Sequence, residues 1–386
     1  MRDINSQALI ELTQELVRLP SEAGREKKVA DLLVKEMRGL GYEKVTVDEN
    51  GTVVGVVKGA GPGPTLLFDA HIDTVGIAPG VPWQHDPFAG EIVEGKLYGR
   101  GATDMKGPLA AMIVAIAAAE KGQLAGRVVA SASVMEEVLE GVALKAVMDQ
   151  QQPDYVVICE PSNLRLIHGG RGRAEIHLET IGRPVHSSSP HEGVNAIHAM
   201  IRAISAIDEL TLPTHEVVGQ GIMALTDIIS EPYPGHSMIP SRCRATYDRR
   251  LMPGETQESV LLSLANLPTV EGATLSSTIA KGEYPTYTGR RLVTEKWFPA
   301  WFLDPAHEFV RKAAAGLESA GLAVTYGTYN FCTNAAYSAG QAGVPTMGFG
   351  PSPESLAHIV DEYVEVEQLL ETARGYQGII EAVLEA

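Results

Sequence analysis

The chain has 386 residues, 45% hydrophobic and 20% charged, which describes a globular protein with room for two domains and excludes a disordered chain. A formal net charge of −17 argues against a nucleic-acid partner, which needs clustered Lys and Arg, while an anionic small molecule stays compatible wherever divalent cations reverse the local field. Three widely spaced cysteines, Cys159, Cys243 and Cys332, offer no disulfide framework. Residues 1–5 lack an apolar signal core and no apolar run approaches membrane-spanning length, so a cytoplasmic protein with no membrane partner is expected.

In chain order, Leu9, Leu12 and Leu16 at helical spacing predict a helix over 6–18, stopped by Pro20. A second amphipathic helix is predicted over 25–39, with Gly41 as its stop signal. Strands follow at 44–48 and 52–58, then a Gly-Pro-Gly-Pro turn and an apolar strand that ends in His71-Ile72-Asp73. Residues two apart on a strand point the same way, so His71 and Asp73 leave the strand tip together. Taken alone, the pair also fits a polar strand end with a satisfied imidazole.

A long Pro- and Gly-rich segment over 77–99 leads to Gly99-Arg100-Gly101-Ala102-Thr103-Asp104-Met105-Lys106-Gly107, and an apolar helix is predicted over 108–119. A strand over 127–135 ends in Glu136-Glu137, a helix is predicted over 141–151, and the next strand (155–159) ends in Glu160. Helices alternating with apolar strands predict an α/β domain with a mostly parallel sheet, whose ligand crevice lies beyond the carboxyl ends of its strands.

Near residue 171 the texture changes to period-two alternation, with strands near 174–180, 217–229, 242–250 and 272–280 and helices near 195–208 and 256–266. This predicts an inserted α+β domain whose open sheet or edge can pair with a second subunit. From 288 the α/β texture returns, with a helix over 305–320, a strand over 322–326 and a C-terminal helix over 365–385. The expected organisation is therefore a catalytic domain split into 1–170 and 288–386 around an insert of 171–287.

His71, Asp104, Glu137, Glu160 and His358 form a candidate metal-ligand set. Two imidazoles and three carboxylates suit Zn²⁺, with Co²⁺ or Mn²⁺ as substitutes. Five ligands exceed what one catalytic zinc uses and fit two metals sharing a carboxylate. Asp104, in a Gly-rich loop, is the expected bridge; His71 and Glu160 complete one metal, Glu137 and His358 the other. Asp73 is expected to fix the tautomer of His71. Glu136, adjacent to a ligand but not coordinated, is the expected general base; the bland reading of Glu136-Glu137 is two solvated acids at a strand end.

The motifs Asp69-Ala70-His71-Ile72-Asp73, Gly99 to Gly107, Glu136-Glu137, Glu160-Pro161-Ser162 and His358-Ile359-Val360-Asp361-Glu362-Tyr363 resemble those of the M20 metallopeptidase/aminoacylase family, in order and across almost the whole chain. That family includes acetylornithine deacetylase, succinyl-diaminopimelate desuccinylase and the carboxypeptidase G-type enzymes. The tail Gly348-Phe349-Gly350-Pro351-Ser352-Pro353 is most similar to the branch linked to selenium metabolism.

The resemblance implies two zinc ions per subunit, Glu136 as base and an insert that serves as lid and dimerisation domain. It implies that His186, in Gly182-Arg183-Pro184-Val185-His186-Ser187-Ser188, reaches the partner subunit's site and donates to the oxyanion; without it, His186 is a surface-loop histidine. It also implies that Arg250 binds a substrate carboxylate. Two departures bear on the pocket. Ser237 stands where the family has Asn, beside His236, which can take over that contact. The segment Asn330-Phe331-Cys332-Thr333-Asn334 replaces a Gly-Gly-Thr-Asp type loop, with Asn334 as a substrate-side candidate and Cys332 as a wall or core thiol rather than a nucleophile.

The expected activity is dinuclear zinc-dependent hydrolysis of an N-acyl amino acid or small peptide-like amide by a metal-bridging water, Glu136 shuttling the proton. A dipeptidase, carboxypeptidase or ureido-acid hydrolase on the same core is the alternative. A non-catalytic zinc-binding module and a phosphoesterase are remoter; the latter lacks a phosphate-cradling loop.

Overall fold

The computed structural model describes residues 4–385. Residues 1–3, the start of the segment expected to hold no signal core, lie outside the described residues, as does residue 386. Among the described residues no helix is long and apolar enough to cross a membrane.

A nine-stranded sheet organises the larger body. Its centre is parallel: Gly61–His71 runs between Ala125–Ser133 and Tyr155–Ile158, and Thr346–Gly348 lies beside the latter. Its margins are mostly antiparallel, with Lys44–Val47 and Val53–Lys58 on one side and Leu166–Gly170 and Trp301–Phe302 on the other. The sheet is thus mixed where a mostly parallel one was expected. Lys44–Val47 and Val53–Lys58 are joined by a short turn, which allows only antiparallel pairing, whereas helices Gly107–Ala118 and Val142–Gln151 carry the crossovers of the parallel centre.

The central strand is apolar on both sides because both faces are covered. Leu66, Phe68 and Ala70 join a core built with helices Ser6–Val17, Gly107–Ala118, Glu308–Ser319 and Val366–Val383. Leu67 points the other way, to Leu144 and Val147 of helix Val142–Gln151. Every residue from Gly107 to Ile116 is buried, which explains a helix with no polar face.

A second sheet contains Ile222–Glu231, Arg242–Leu251, Gly172–Ile181 and Thr274–Ile279 in that spatial order. Helices Ala196–Asp208 and Gln257–Ala265 cover one face, where Ile176, Leu178, Ala245 and Tyr247 meet Ala196, Met200, Val260 and Leu264. The other face carries the alternate residues, among them Arg173, Glu175, Asp248 and Arg250. Edge strand Ile222–Glu231 leaves Ile222, Leu225, Ile228 and Ile229 exposed.

Between this sheet and the return of the chain at Trp301–Phe302 stands a hairpin of Lys281–Pro285 and Arg291–Glu295, absent from the expected elements. Its Leu292 is buried in the core of the larger body, and the Tyr287 hydroxyl donates to the Gly51 carbonyl at 2.8 Å. The strand expected over 322–326 lies instead at Tyr326–Tyr329, and Leu166–Gly170 is an unanticipated strand.

Candidate metal centre

Three adjacent parallel strands end side by side. His71 pairs in register with Ser133, and Asp69 with Ile158. The chain therefore needs only two to four residues past those ends to place Glu136, Glu137 and Glu160 around the His71 imidazole. His71 Nε2 lies 3.5 Å from Glu160 Oε1 and 3.9 Å from Glu136 Oε2.

Asp104 enters from the loop after Tyr98. Gly101, with φ +82°, turns that loop where a Cβ would stand 2.7 Å from the Thr74 methyl. Glu362 holds it in place: its Oε1 accepts from the backbone N–H of Thr103 and Asp104 at 2.9 and 3.0 Å, and its Oε2 takes Arg100 at 2.6 Å. The two Asp104 oxygens then divide. Oδ1 faces His71 Nε2 at 2.9 Å and Oδ2 faces His358 Nε2 at 3.2 Å. His358 Nε2 also stands 3.1 Å from Glu137 Oε2.

The structure therefore brings together all five sequence-derived ligand candidates, with Glu136 beside them. Two donor triads lie within 4.8 Å, one of His71, Asp104 and Glu137 and one of His71, Glu136 and Glu160. The first crosses the pairing expected from sequence and the second includes Glu136, whereas the Asp104 carboxylate turns one oxygen to each imidazole, an arrangement suited to two ions.

The donor set fits divalent cations. Asp104, Glu136 and Glu160 are buried, and Glu136 Oε1 and Glu160 Oε2 have no hydrogen-bond partner. Burial, then the neighbouring carboxylates, pushes the Glu136 and Glu160 carboxyls well above their usual range. Burial alone would lower His71, yet Glu160, Asp104 and Glu136 hold its imidazole well above the ordinary value. Hydrogen bonds to Asp104 and Glu137 raise His358 to about 10. Cations would remove this repulsion.

Asp73 has a task beyond the one expected. His71 Nδ1 meets the Asp73 backbone carbonyl at 2.9 Å and stands 3.6 Å from the carboxylate Oδ1, while that carboxylate accepts from the backbone N–H of Glu136 and Glu137 at 3.1 and 3.0 Å. It also positions the glutamate pair.

A cavity of about 290 Å³ opens over the cluster, lined by Glu137 and His358 and by Glu140, Arg173, Arg250, Phe331 and Cys332. Arg250 is thus brought to the site. Asn334 is buried instead, its amide donating to Asp69 Oδ2 at 2.7 Å and Ser133 Oγ at 3.0 Å. His186, His236 and Ser237 lie on two exposed loops that pair with each other, and none of the three lines this cavity. Burial pushes the Cys332 thiol up, so it is no ready thiolate. Sequence reading missed Glu140 and Arg173; Glu140, four residues after Glu136 in a turn, was the one signal available.

The model of the peptidase family M20/M25/M40 matches residues 67–382. The chain belongs to this family. Its members are hydrolases of amide and peptide bonds. The Escherichia coli (strain K12) protein YgeY, described as uncharacterized, is 32% identical over 374 residues, 95% of this chain and 92% of that protein. A succinyl-diaminopimelate desuccinylase of Methylobacterium radiotolerans is 28% identical over 400 residues, 97% of this chain and 96% of that enzyme. Among solved structures, aminopeptidase PepT from Bacillus cereus superposes with a TM-score of 0.76 at 20% identity, covering 98% of this chain and 99% of its own. The Bacillus subtilis YXEP protein, titled a dinuclear metal binding peptidase, gives 0.73 at 15% identity, covering 98% of each chain. Both share the fold.

Proposed function

We propose that the chain is a dinuclear zinc amidohydrolase of N-acyl amino acids or short peptide-like amides. The observation that carries this reading is the Asp104 carboxylate, divided between His71 and His358. Asp104, His71 and Glu160 would hold one zinc and Asp104, Glu137 and His358 the other, and the pair when bound supplies Lewis acidity and makes water a nucleophile at neutral pH.

Glu136 takes the proton as water adds to the carbonyl carbon and returns it to the leaving nitrogen as the C–N bond breaks. Its free Oε1 supports that role. Arg250 binds the substrate carboxylate. His186 of the partner subunit donates to the oxyanion, with His236 and Ser237 beside it, in a homodimer formed through the lid. The exposed apolar residues of edge strand Ile222–Glu231 support that assembly. Three buried free thiols accord with a reducing, cytoplasmic setting.

The test is a screen of zinc-loaded protein against acetylated, succinylated, carbamoyl and dipeptide substrates, with E136Q as the control. E136Q is expected to keep its metal content and lose about 10²–10⁴-fold in kcat. Retained turnover would count against Glu136 as base.

A further inference from the structure

Above the metal ligands, four side chains form an alternating chain of charge. Glu140 Oε1 meets Arg173 Nη1 at 3.1 Å, Arg173 Nε meets Asp248 Oδ2 at 2.8 Å, and Asp248 Oδ1 meets Arg250 Nε at 3.0 Å. Arg173 and Arg250 stand directly opposite each other on neighbouring strands, a like-charge pairing that destabilises a sheet unless something lies between. Asp248 does so by taking one Nε from each.

The two inner members are satisfied by their neighbours; the two ends are not. Glu140 is 7% exposed, and its Oε2 has no hydrogen-bond partner. At the other end, Asp248 is the one ion-pair partner of Arg250 among the described residues, so the outer edge of that guanidinium is open. Both ends line the cavity that holds Glu136, and its volume of about 290 Å³ suits a compact ligand.

We propose that Glu140 is a specificity-determining residue that takes the ammonium of a substrate whose carboxylate lies on Arg250, so that the preferred substrate is a small zwitterionic amide such as a dipeptide with a free amino terminus. This rests on the hydrolase reading above. Charge balance selects the same class. Two divalent cations, when bound, would offset Asp104, Glu136, Glu137 and Glu160, and the two arginines offset Glu140 and Asp248. A zwitterion keeps that balance, whereas an N-acyl amino acid brings one unmatched negative charge into a desolvated site. In a dipeptide the ammonium lies on the acyl side and the carboxylate on the amine side, which leaves the scissile amide between the two readers.

Alanyl-alanine and propanoyl-alanine share the scissile bond and differ only in the ammonium. Zinc-loaded wild type is expected to favour alanyl-alanine in kcat/KM by on the order of 10²-fold, because a site built around a polar group rejects the analogue lacking it. E140Q is expected to remove most of that ratio. Calorimetric binding to zinc-loaded E136Q gives a readout free of turnover, with alanyl-alanine bound more tightly than propanoyl-alanine and the difference lost in E136Q/E140Q. Equal wild-type kcat/KM for the two, or a ratio unchanged by E140Q, would overturn the assignment. A binding preference with no hydrolysis of either compound would leave Glu140 as the ammonium reader and count against small amides as the substrates proposed above.

Discussion

Asp73 shows how a buried carboxylate can support a site without lining its cavity. It is fully buried and accepts two backbone N–H groups, those of Glu136 and Glu137. Replacing one oxygen by an amide leaves one of these donors facing another donor. Asp73→Asn is therefore expected to shift the Glu137 ligand and weaken metal binding by about 10–100-fold, the usual cost of losing support behind a ligand. Competition with a chromogenic chelator measures this directly, and an unchanged affinity would return Asp73 to a role on His71 alone. Asn334 plays a comparable part from the other side. It ties Asp69 and Ser133 to the loop that carries Glu140, a reason for an amide there that owes nothing to substrate.

Among the elements, hairpin Lys281–Glu295 stands out because it crosses from the lid to the larger body. Tyr287 lies over Gly51, where φ is +104° and any Cβ would enter the phenol ring. Gly51→Ala should cost roughly 1–3 kcal/mol by the combined left-handed strain and overlap, readable as a lower urea midpoint at unchanged m. Burial pushes the Tyr287 hydroxyl up to about 12. The folded chain thus holds this proton more tightly than the unfolded one, whose phenol titrates near 10. Its contribution is complete below pH ~10 and is lost as pH rises through ~12. In Tyr287→Phe, stability should decline less steeply across that window; equal slopes in both proteins would show that the hydroxyl is not the titrating group.

Two outcomes belong to the whole molecule. The cluster crowds four carboxylates into a buried site, so removing metal should lower stability through lost binding energy. At free zinc a hundredfold above Kd that binding is worth about 2.7 kcal/mol, and a chelator should lower Tm by several degrees. A thermal scan unmoved by chelator would argue against resident metal. The second outcome concerns assembly. His186 is exposed, and among the described residues its side chain bonds only within its own loop, at Ser188. If it serves the partner's site, mixing inactive E136Q with inactive H186A in equal amounts and allowing subunits to exchange should restore up to about a quarter of wild-type activity by random pairing, because half of the dimers are mixed and each holds one complete site. No recovery in demonstrably mixed dimers would remove His186 from the partner's site.

The sequence by itself determined the two-body architecture, nearly every helix and the metal-ligand candidates. Periodicity reports burial directly, and an α/β sheet sends the ends of its central strands to one crevice whatever the details of the loops. His71, Glu136, Glu137 and Glu160 needed only that rule, because His71 ends its strand and each glutamate follows one by two to four residues. Short pieces whose apolar pattern is incomplete stayed hidden, such as Leu166–Gly170 and the Lys281–Glu295 hairpin. Only the tertiary structure decided which oxygen of Asp104 meets which imidazole, that Asp73 serves the glutamate pair, and that Glu140 and Arg173 share the cavity with Arg250. Those facts depend on where side chains from separate segments converge, and convergence between segments dozens to hundreds of residues apart leaves no periodic mark on the chain.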